Sequence, residues 1–240
     1  MVTGTKKQGR RKASADTPAL SQPVIVAAAL DYIDAEGLDS FSLRNLAQKL
    51  GVYPTAIYWY VSNRDALLAH VVTAVTCDVV PAKRRREWQA GLRDIMRNFR
   101  AAVRAHPNVA PLIGGQLVSN TQVDLDLVEY ILATLSKAGL SDNALVGGYN
   151  MVLAMMVGFT TQEFAPIPRE DAAQWQIAVQ ERLLSVDAEA YPLLSRNMRN
   201  LSNRAFILRW QNGIDAPLDT SFELCLDILV AGIEGLAKAD

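Results

Sequence analysis

The residues with the most specific chemistry in this chain lie between Phe41 and Leu68, in the segment FSLRNLAQKLGVYPTAIYWYVSNRDALL. This segment contains a short, polar-capped helical pattern, a glycine turn, an aromatic-rich second pattern and a newly capped third one. The order is typical of a helix-turn-helix, whose second helix can lie in the major groove of DNA. The chemistry indicated is therefore noncovalent recognition of a nucleic acid rather than catalysis.

Local signals position the first two helices of this segment. Ser42 is a good N-cap, and apolar residues follow it at helical spacing, namely Leu43, Leu46, Ala47 and Leu50. Gly51 comes directly after them. Glycine has no Cβ, so it can end a helix in the left-handed backbone conformation with the least steric strain. Pro54 is tolerated in a first helical turn, so the second helix is predicted to run from about Pro54 to Tyr60.

The second helix is short and carries aromatic rather than aliphatic side chains. Ile57 is its main core-facing residue. Trp59 is predicted to anchor the helix in the core, because indole is the largest apolar group available. Tyr58 has two interpretations, either a core aromatic or a side chain that faces a partner. Such a composition suits a helix that presents one face to another molecule.

Helices are also predicted on both sides of this motif. Downstream, Ser62 and Asp65 have the spacing of a capping box that starts a helix over residues 63–79. Upstream, Ser21 can cap a helix that ends at Gly37. The apolar face of that upstream helix is formed by Val24, Ile25, Ala28, Ala29 and Ile33.

Residues 21–80 resemble the N-terminal domain of the TetR-like transcriptional regulators, and GVYPTAIYWYVSNRDALL is similar to the tetracycline-repressor branch. The resemblance continues more weakly to a matching last helix, FELCLDILVAGIEGL. It implies an all-α protein with a three-helix, helix-turn-helix DNA-binding domain at 21–80, preceded by a basic flexible arm at 1–20. Residues 81–240 are then expected to form a helical ligand-binding and dimerisation domain.

The resemblance also implies which arginines touch DNA. Arg44 is expected to reach a base edge or a phosphate, and its planar fork matches guanine O6 and N7. Arg64 replaces the customary lysine at the start of the third helix, where a phosphate can bind. Without the surrounding motif, both arginines would be interpreted as solvated surface charges.

The second helix supplies the other implied DNA contacts. Pro54 and Thr55 match positions that touch base edges, including the thymine methyl group. Tyr58 matches a tyrosine whose hydroxyl binds a phosphate, and Tyr60 stands where the family often has histidine, also near the DNA backbone. Tyr53 replaces the small capping residue usual in the family, so the start of the helix and its base preference are both open.

Charge is distributed unevenly along a chain whose net charge is −1. Residues 1–20 contain five basic residues and one acidic residue, whereas residues 21–68 contain three basic and five acidic residues. The motif domain is therefore not strongly basic. The aperiodic arm at 1–20 is predicted to be disordered when free. It either adds phosphate attraction, for example in the minor groove, or only solubilises the chain.

Two further basic clusters follow the motif. The run Lys83–Arg86 lies in the predicted loop between the domains, where a solvated loop is favoured over a DNA contact. A later stripe of arginines lies beside apolar positions and predicts an amphipathic helix at a domain surface. Its members are Arg93, Arg97, Arg100 and Arg104.

From residue 87 onward every predicted element is a helix, without an alternating strand pattern or an internal repeat. The coarse spans are 87–105, 108–114, 122–138, 142–164, 170–184, 187–211 and 218–238. The last span is apolar on most of its circumference, so it must be covered on two sides. The resemblance implies that spans 142–164 and 218–238 form a four-helix bundle with their copies in a second subunit.

The span 142–164 also offers side chains for an adaptable small-molecule pocket, because flexible, polarizable methionines lie beside polar groups. The predicted lining residues are Met96, Phe99, Leu117, Met151, Met155, Phe159 and Gln162. The alternative for each of them is ordinary core packing.

Neither a metal nor a cofactor is predicted. Tetracycline repressors hold a metal–drug chelate with a histidine and a glutamate, and the resemblance places Ile113 and Thr161 at those positions. His70 and His106 are the only histidines, and neither lies in a catalytic motif. The glycine signatures of nucleotide-binding enzymes are absent, so the chain is predicted not to be an enzyme.

The predicted partners are a palindromic double-stranded DNA operator, an unidentified small molecule and a second copy of the chain. No membrane partner is predicted, because the longest apolar run, Met151–Phe159, is shorter than the about 18 residues of a membrane helix. With no signal sequence and two predicted free, buried thiols, Cys77 and Cys225, a cytoplasmic location is expected. Repression released by a ligand is favoured, with activation or protein docking as alternatives.

Overall fold

The computed structural model describes residues 19–119, 123–168 and 170–238, with only the backbone described at 117–119. Within these ranges the regular structure is helical and contains no strand. The helices are α1 Gln22–Glu36, α2 Leu43–Leu50, α3 Pro54–Ile57, α4 Arg64–Thr76, α5 Trp88–Ala105, α6 Ala110–Ser119, α7 Leu125–Lys137, α8 Asp142–Glu163, α9 Ala172–Leu184, α10 Pro192–Leu201 and α11 Asp219–Leu236. Two 3₁₀ turns, Pro107–Val109 and Phe206–Leu208, follow α5 and α10. The predicted all-α fold is confirmed, whereas residues 1–18 of the predicted arm lie outside the described residues.

The N-terminal bundle, α1–α4, packs around its own apolar core. α1 lies against α4, and α2 lies against α3. Ile25 and Ile33 of α1, Leu46 of α2 and Ile57 of α3 are fully buried together with Leu67 of α4. Complete burial of such residues removes their apolar surface from water and gives each about 1.5–3 kcal/mol of transfer free energy. This core holds the short α3 in place although four residues cannot form a stable helix alone.

The caps predicted around α2 are confirmed. Ser42 Oγ accepts a hydrogen bond from the Asn45 N–H at 3.1 Å. Gly51 has a left-handed backbone with φ of 66°, and its N–H donates to the Gln48 carbonyl at 3.1 Å. A side chain at this φ would be strained, so the glycine directs the chain from α2 into α3.

The predicted ends of α3 and α4 were wrong. α3 stops at Ile57 rather than Tyr60, because the Tyr60 N–H bonds to the Ile57 carbonyl at 2.9 Å and tightens the chain into a turn. α4 is capped by Asn63, whose side chain accepts the Ala66 N–H at 2.8 Å, and not by the predicted Ser62–Asp65 box. It ends at Thr76, three residues before the predicted end.

α8 is the central helix of the C-terminal bundle, α5–α11. It packs against α5, α6, α7 and α11, and α6 in turn packs against α4 of the N-terminal bundle. Its length and composition would allow it to cross a membrane, as is also true of core helices in soluble proteins. Asn150 interrupts the apolar residues of α8, so its longest uninterrupted apolar run, Met151–Phe159, is shorter than the helix. The buried side of α8 is formed by Val152, Met156, Phe159 and Thr160.

A single helix over residues 187–211 was predicted, and this is wrong. Pro192 has no N–H and starts α10 in the middle of that span. After α10, Asn203 has a positive φ of 56°, and its Oδ1 accepts the N–H groups of Trp210 and Gln211 at 3.2 and 3.1 Å. The side chain thereby satisfies a turn that returns the chain toward α11.

The prediction that both thiols are buried was also wrong. Cys77 is the C-cap residue of α4, and its side chain is exposed. Cys225 lies on α11 and is half-buried. Both cysteines are free thiols, as predicted.

Candidate nucleic-acid interface

The short helix α3 is anchored from one side only. Ile57 is fully buried and Val61, just beyond the helix, is almost fully buried. Apart from the half-buried Ala56, the other side chains from Tyr53 to Tyr60 are exposed, and α2 packs against α3. Anchoring through two aliphatic residues leaves the other face of α3 free for a partner.

The exposed face is made largely of aromatic rings. Tyr53 is 83% exposed, Tyr58 53%, Trp59 87% and Tyr60 41%. The prediction of Trp59 as a core anchor is therefore wrong, because Ile57 and Val61 already fill the space beneath α3. Large aromatic side chains left in water at this density indicate a surface that contacts another molecule.

The other predicted DNA-contacting residues of the motif are exposed as well. Pro54 and Thr55 form the first turn of α3, with Tyr53 as its N-cap residue in an extended backbone conformation. Arg44 is exposed on α2, without an ion-pair partner among the described residues. Arg64 is the first residue of α4, with its guanidinium 5.7 Å from the centroid of the Phe41 ring.

The electrostatic environment of this surface is mixed. Arg64 Nη1 lies 3.9 Å from Asp65 Oδ1, in a pair so exposed that it contributes little. Lys49 Nζ lies 5.6 Å from the centroid of the Tyr32 ring. Acidic residues exposed elsewhere in the N-terminal bundle include Asp31 and Asp39. The described part of the N-terminal bundle therefore carries a few individually placed cations and is not strongly basic.

Polar contacts that were not predicted connect α1 to the C-terminal bundle. Asn108 Nδ2 donates to the carbonyl oxygens of Ile33 and Asp34, both at 3.0 Å, at the carboxyl end of α1. His106 Nδ1 lies 2.7 Å from Asp34 Oδ2. These partners are more than 70 residues apart in the chain, so no local pattern could reveal them. They fix the orientation of α1 relative to the 3₁₀ turn that precedes α6.

The arginine stripe lies on an amphipathic helix, α5, as predicted, and its members are paired with acids. Arg93 and Arg97 bond to Asp227 and Glu223 of α11, at 2.7 and 2.6 Å. Hydrogen bonding from Arg97 lowers the pKa of Glu223 below its ordinary value. Arg104 lies 3.6 Å from Asp219 at the start of the same helix. The stripe therefore aligns α5 with α11.

Arg100 and Glu163 form a buried pair at the centre of this stripe. Glu163 is fully buried, and Arg100 donates to its two oxygens at 2.7 and 2.6 Å. The Leu218 N–H donates to Glu163 Oε1 at 2.9 Å, which brings α5, α8 and the start of α11 together. Burial opposes ionisation of Arg100, but its hydrogen bonds to Glu163 and Asp219 leave its pKa above the ordinary value.

The predicted ligand-lining residues are scattered rather than gathered in one pocket. Met96 and Phe99 are buried in the core, Met155 is half-buried, and Met151 and Gln162 are exposed. The side chain of Leu117 lies outside the described residues. Phe159 is nearly fully buried and lines a cleft of about 480 Å³ between α8, α10 and α11. A second cavity, of about 650 Å³, lies between α9, α10 and the second 3₁₀ turn.

The two positions aligned with a metal–drug site have packing roles. Ile113 is fully buried on α6, and Thr161 Oγ1 donates to the Ala110 carbonyl at 3.4 Å. Among the residues that the structure describes, no three histidine, cysteine or carboxylate side chains cluster as a metal site.

Two family models match this chain. Residues 25–71 match the bacterial regulatory proteins of the tetR family, and residues 80–237 match the tetracyclin repressor-like C-terminal domain. The first match contains α2 and α3, and the second contains α5–α11. The family predicted from the motif is confirmed.

Individual relatives support this assignment. A helix-turn-helix-type transcriptional regulator of Saccharopolyspora erythraea is 28% identical over 80% of this chain and 78% of its own length. The class A tetracycline repressor from transposon 1721 of Escherichia coli is 29% identical, over 91% of both chains. The structure of the Streptomyces coelicolor TetR family protein ActR in complex with actinorhodin superimposes with a TM-score of 0.71. It is 27% identical, over 91% of this chain and 99% of ActR. The chain thus belongs to the tetR family of bacterial regulatory proteins, and it is a transcriptional regulator rather than an enzyme.

Proposed function

We propose that this regulator is a repressor that binds a palindromic operator as a homodimer and is released by a small molecule. The observation that carries the proposal is the exposed face of α3. Its aromatic and hydroxyl side chains are exposed to solvent, and only Ile57 and Val61 anchor it in the core. Such a face has no structural use in the folded chain, whereas it matches the helix that enters a major groove.

The proposed DNA surface combines base-edge and phosphate contacts. The side chains assigned to it are Arg44, Tyr53, Pro54, Thr55, Tyr58, Tyr60 and Arg64, and Trp59 extends the same exposed surface. Arg44 suits a guanine edge, and Pro54 and Thr55 suit apolar contact with a thymine methyl group. The tyrosine hydroxyls and Arg64 suit phosphates, which orient the protein on the duplex without reading its sequence.

Exposed apolar residues on α8 and α11 support the homodimer. Val146 and Met151 of α8 and Leu224 and Ile228 of α11 are each more than half exposed. Exposed apolar side chains on two helices that pack together are typical of a subunit interface. A twofold dimer places the same surface on both subunits and presents two copies of α3. Entry into successive major grooves then requires a spacing of about 34–36 Å.

The small molecule is inferred from the family. ActR binds actinorhodin and the class A relative is a tetracycline repressor, so we infer that this chain also responds to a small compound. Packing runs from α8 through α6 to α4, whose first residue belongs to the DNA surface. A ligand that binds more tightly to the arrangement of these helices that does not fit DNA lowers the affinity for DNA. The decrease equals the difference in its binding free energy between the two arrangements, typically about 1–3 kcal/mol. A cytoplasmic location, where DNA is accessible, is part of the same proposal.

Selection of bound sequences from random duplexes, followed by footprinting, tests the DNA-binding proposal. We expect an inverted repeat protected on one face of the duplex, with half-sites about one helical turn apart or a multiple of it. A single unrepeated site would contradict the dimer model. Failure to enrich any sequence would favour the alternative in which the motif docks a protein.

The dimer is tested separately by Ile228→Glu, with Ile177→Glu on α9 as the matched control at another exposed isoleucine. The charge on α11 should convert the dimer to a monomer in sedimentation experiments, whereas the control should remain dimeric. Equal behaviour of the two variants would place the interface elsewhere.

A further inference from the structure

We propose that the cleft between α8, α10 and α11 is the effector site, and that its ligand is an aromatic compound carrying an anionic group held by Arg204. This inference rests on the proposed ligand response and adds the location and the chemical class. The cleft has a volume of about 480 Å³, within the range of about 300–1,000 Å³ that small-molecule sites occupy.

The inner wall of the cleft is aromatic and rigid. The Phe159 and Phe206 rings both line it, with centroids 5.2 Å apart and an edge-to-face angle of 80°. Phe159 also packs edge-to-face on Phe222 at 5.1 Å, and the Arg100 guanidinium lies 4.7 Å from the Phe222 centroid. Phe159 is therefore held in place before a ligand arrives. A planar aromatic ligand would gain ring contacts here at little cost in side-chain ordering.

The polar groups of the cleft determine the charge of the ligand. Arg204 is exposed on the lining, and no carboxylate of the described residues lies within ion-pair distance of it. No aspartate or glutamate contributes to the lining. Asn200 and Ser221 add neutral hydrogen-bonding groups. A guanidinium pairs best with a planar or tetrahedral oxyanion, so an anionic ligand is favoured over a cationic one.

The larger cavity, of about 650 Å³, is a weaker candidate for the effector. It is lined by α9, α10 and the second 3₁₀ turn, and α9, unlike α8 and α11 beside the smaller cleft, contains no buried residue. Arg182 and Asp187 both border it, so its lining carries opposite charges. A ligand in the smaller cleft instead touches Phe159 of α8. Helix α8 packs on α6, and α6 packs on α4, so such a ligand contacts a helix that is connected to α4 through α6.

Two matched dyes test both parts of the proposal in the purified full-length protein. The first, 8-anilinonaphthalene-1-sulfonate, is an aromatic anion, and the second, N-phenyl-1-naphthylamine, is its neutral counterpart. We expect Arg204→Gln to weaken binding of the anion about tenfold, because a charge-assisted pair is lost. Binding of the neutral dye should change less than about twofold, since ring contacts remain. Equal weakening of both dyes, or of neither, would overturn the assignment of Arg204.

The location is tested with a pair of identical substitutions. Ala205→Trp should fill the cleft and abolish binding of both dyes, whereas Ala178→Trp in the larger cavity should leave it unchanged. Loss of binding in the second variant alone, or in neither, would overturn the location.

A labelling measurement covers the case in which Ala205→Trp does not fold. Cys225 lines the cleft, and Cys77 is the only other cysteine. In a Cys77→Ser background, the anionic dye should slow alkylation of Cys225 at least about fivefold when the site is almost saturated. An unchanged alkylation rate would refute the site.

These experiments contain no DNA, so their outcome is separable from the proposed function. Arg44→Ala, which alters only the DNA surface, should bind both dyes like the unmodified protein. If the protein binds the dyes as expected but the selection finds no operator, only the DNA-regulator proposal is refuted. Operator binding with no dye in the cleft would refute the cleft alone.

Discussion

Arg44 on α2 has no carboxylate within ion-pair distance among the described residues, whereas on α5 Arg97 pairs with one carboxylate and Arg100 with two. All three lie on amphipathic helices at comparable spacing from apolar neighbours. What distinguishes them is the facing helix, because α8 and α11 present acids to α5, whereas none of the described helices presents an acid to Arg44. A paired guanidinium serves the fold, and an unpaired one is available to a phosphate or a base.

The largest effect on the free energy of unfolding is expected at the buried pair Arg100–Glu163. Arg100→Ala would leave Glu163 charged, buried and bonded mainly to the Leu218 N–H, which should cost about 3–5 kcal/mol of unfolding free energy. Arg93→Ala is the matched control on the same helix, and it should cost less than about 1 kcal/mol because Asp227 is exposed. Urea unfolding at pH 7 measures both. Equal losses would mean that burial does not separate the two pairs.

Because Arg44 has no acidic partner among the described residues, its substitution is expected to affect operator binding and not the free energy of unfolding. Arg44→Ala should weaken operator binding by about 1–3 kcal/mol per half-site, since a bidentate base contact is lost. Its unfolding free energy should change by less than about 0.5 kcal/mol. Arg196→Ala, at an exposed arginine of α10, is the control. Anisotropy titrations at fixed salt provide the measurement, and unchanged operator affinity would remove Arg44 from the interface.

A smaller, pH-dependent effect is expected from the exposed pair Arg97–Glu223. Hydrogen bonding from Arg97 lowers the folded-state pKa of Glu223 below the ordinary 4.5, so the ionised form stabilises the folded state. Glu223→Gln should cost about 0.2–1 kcal/mol at pH 7. The cost should vanish as the pH falls from 4.5 through the lowered pKa. Unfolding titrations at several pH values test this, and a difference that grows on acidification would reverse the sign of the argument.

A small effect on stability, like that of Arg44→Ala, is expected at Trp59. Because its ring is exposed, Trp59→Ala should change the unfolding free energy by less than about 0.5 kcal/mol. Ile57→Ala, two residues earlier and fully buried, should cost about 2–5 kcal/mol. Thermal unfolding of the two variants side by side separates the anchor from the exposed surface. A large loss for Trp59→Ala would restore its predicted role in the core.

Local structure around α2 was predictable because its causes are local. Ser42 and Gly51 act within three or four residues of their own positions, and the structure has the bonds that their types predict. The error at Trp59 has a different origin. Its exposure depends on how much space Ile57 and Val61 leave beneath α3, and that depends on packing against distant helices.

The C-terminal bundle was predicted as helical, but its contacts were not. Glu163 lies 63 residues from Arg100, and nothing in either helix indicates that they meet. The break after α10 depends on Asn203, whose side chain bonds to backbone groups seven and eight residues away. Of the predicted lining residues with described side chains, Phe159 borders the cleft because α10 and α11 approach it there.

The amino-acid sequence alone determined the helical class, the helix-turn-helix and the family, since periodicity, caps and motif spacing act over one or two turns. The tertiary structure decided which aromatic rings remain in water, which arginines are paired and where a cleft opens. Those outcomes depend on which surfaces meet across separations of tens of residues. Burial and pairing are properties of two facing elements, and neither element alone encodes them.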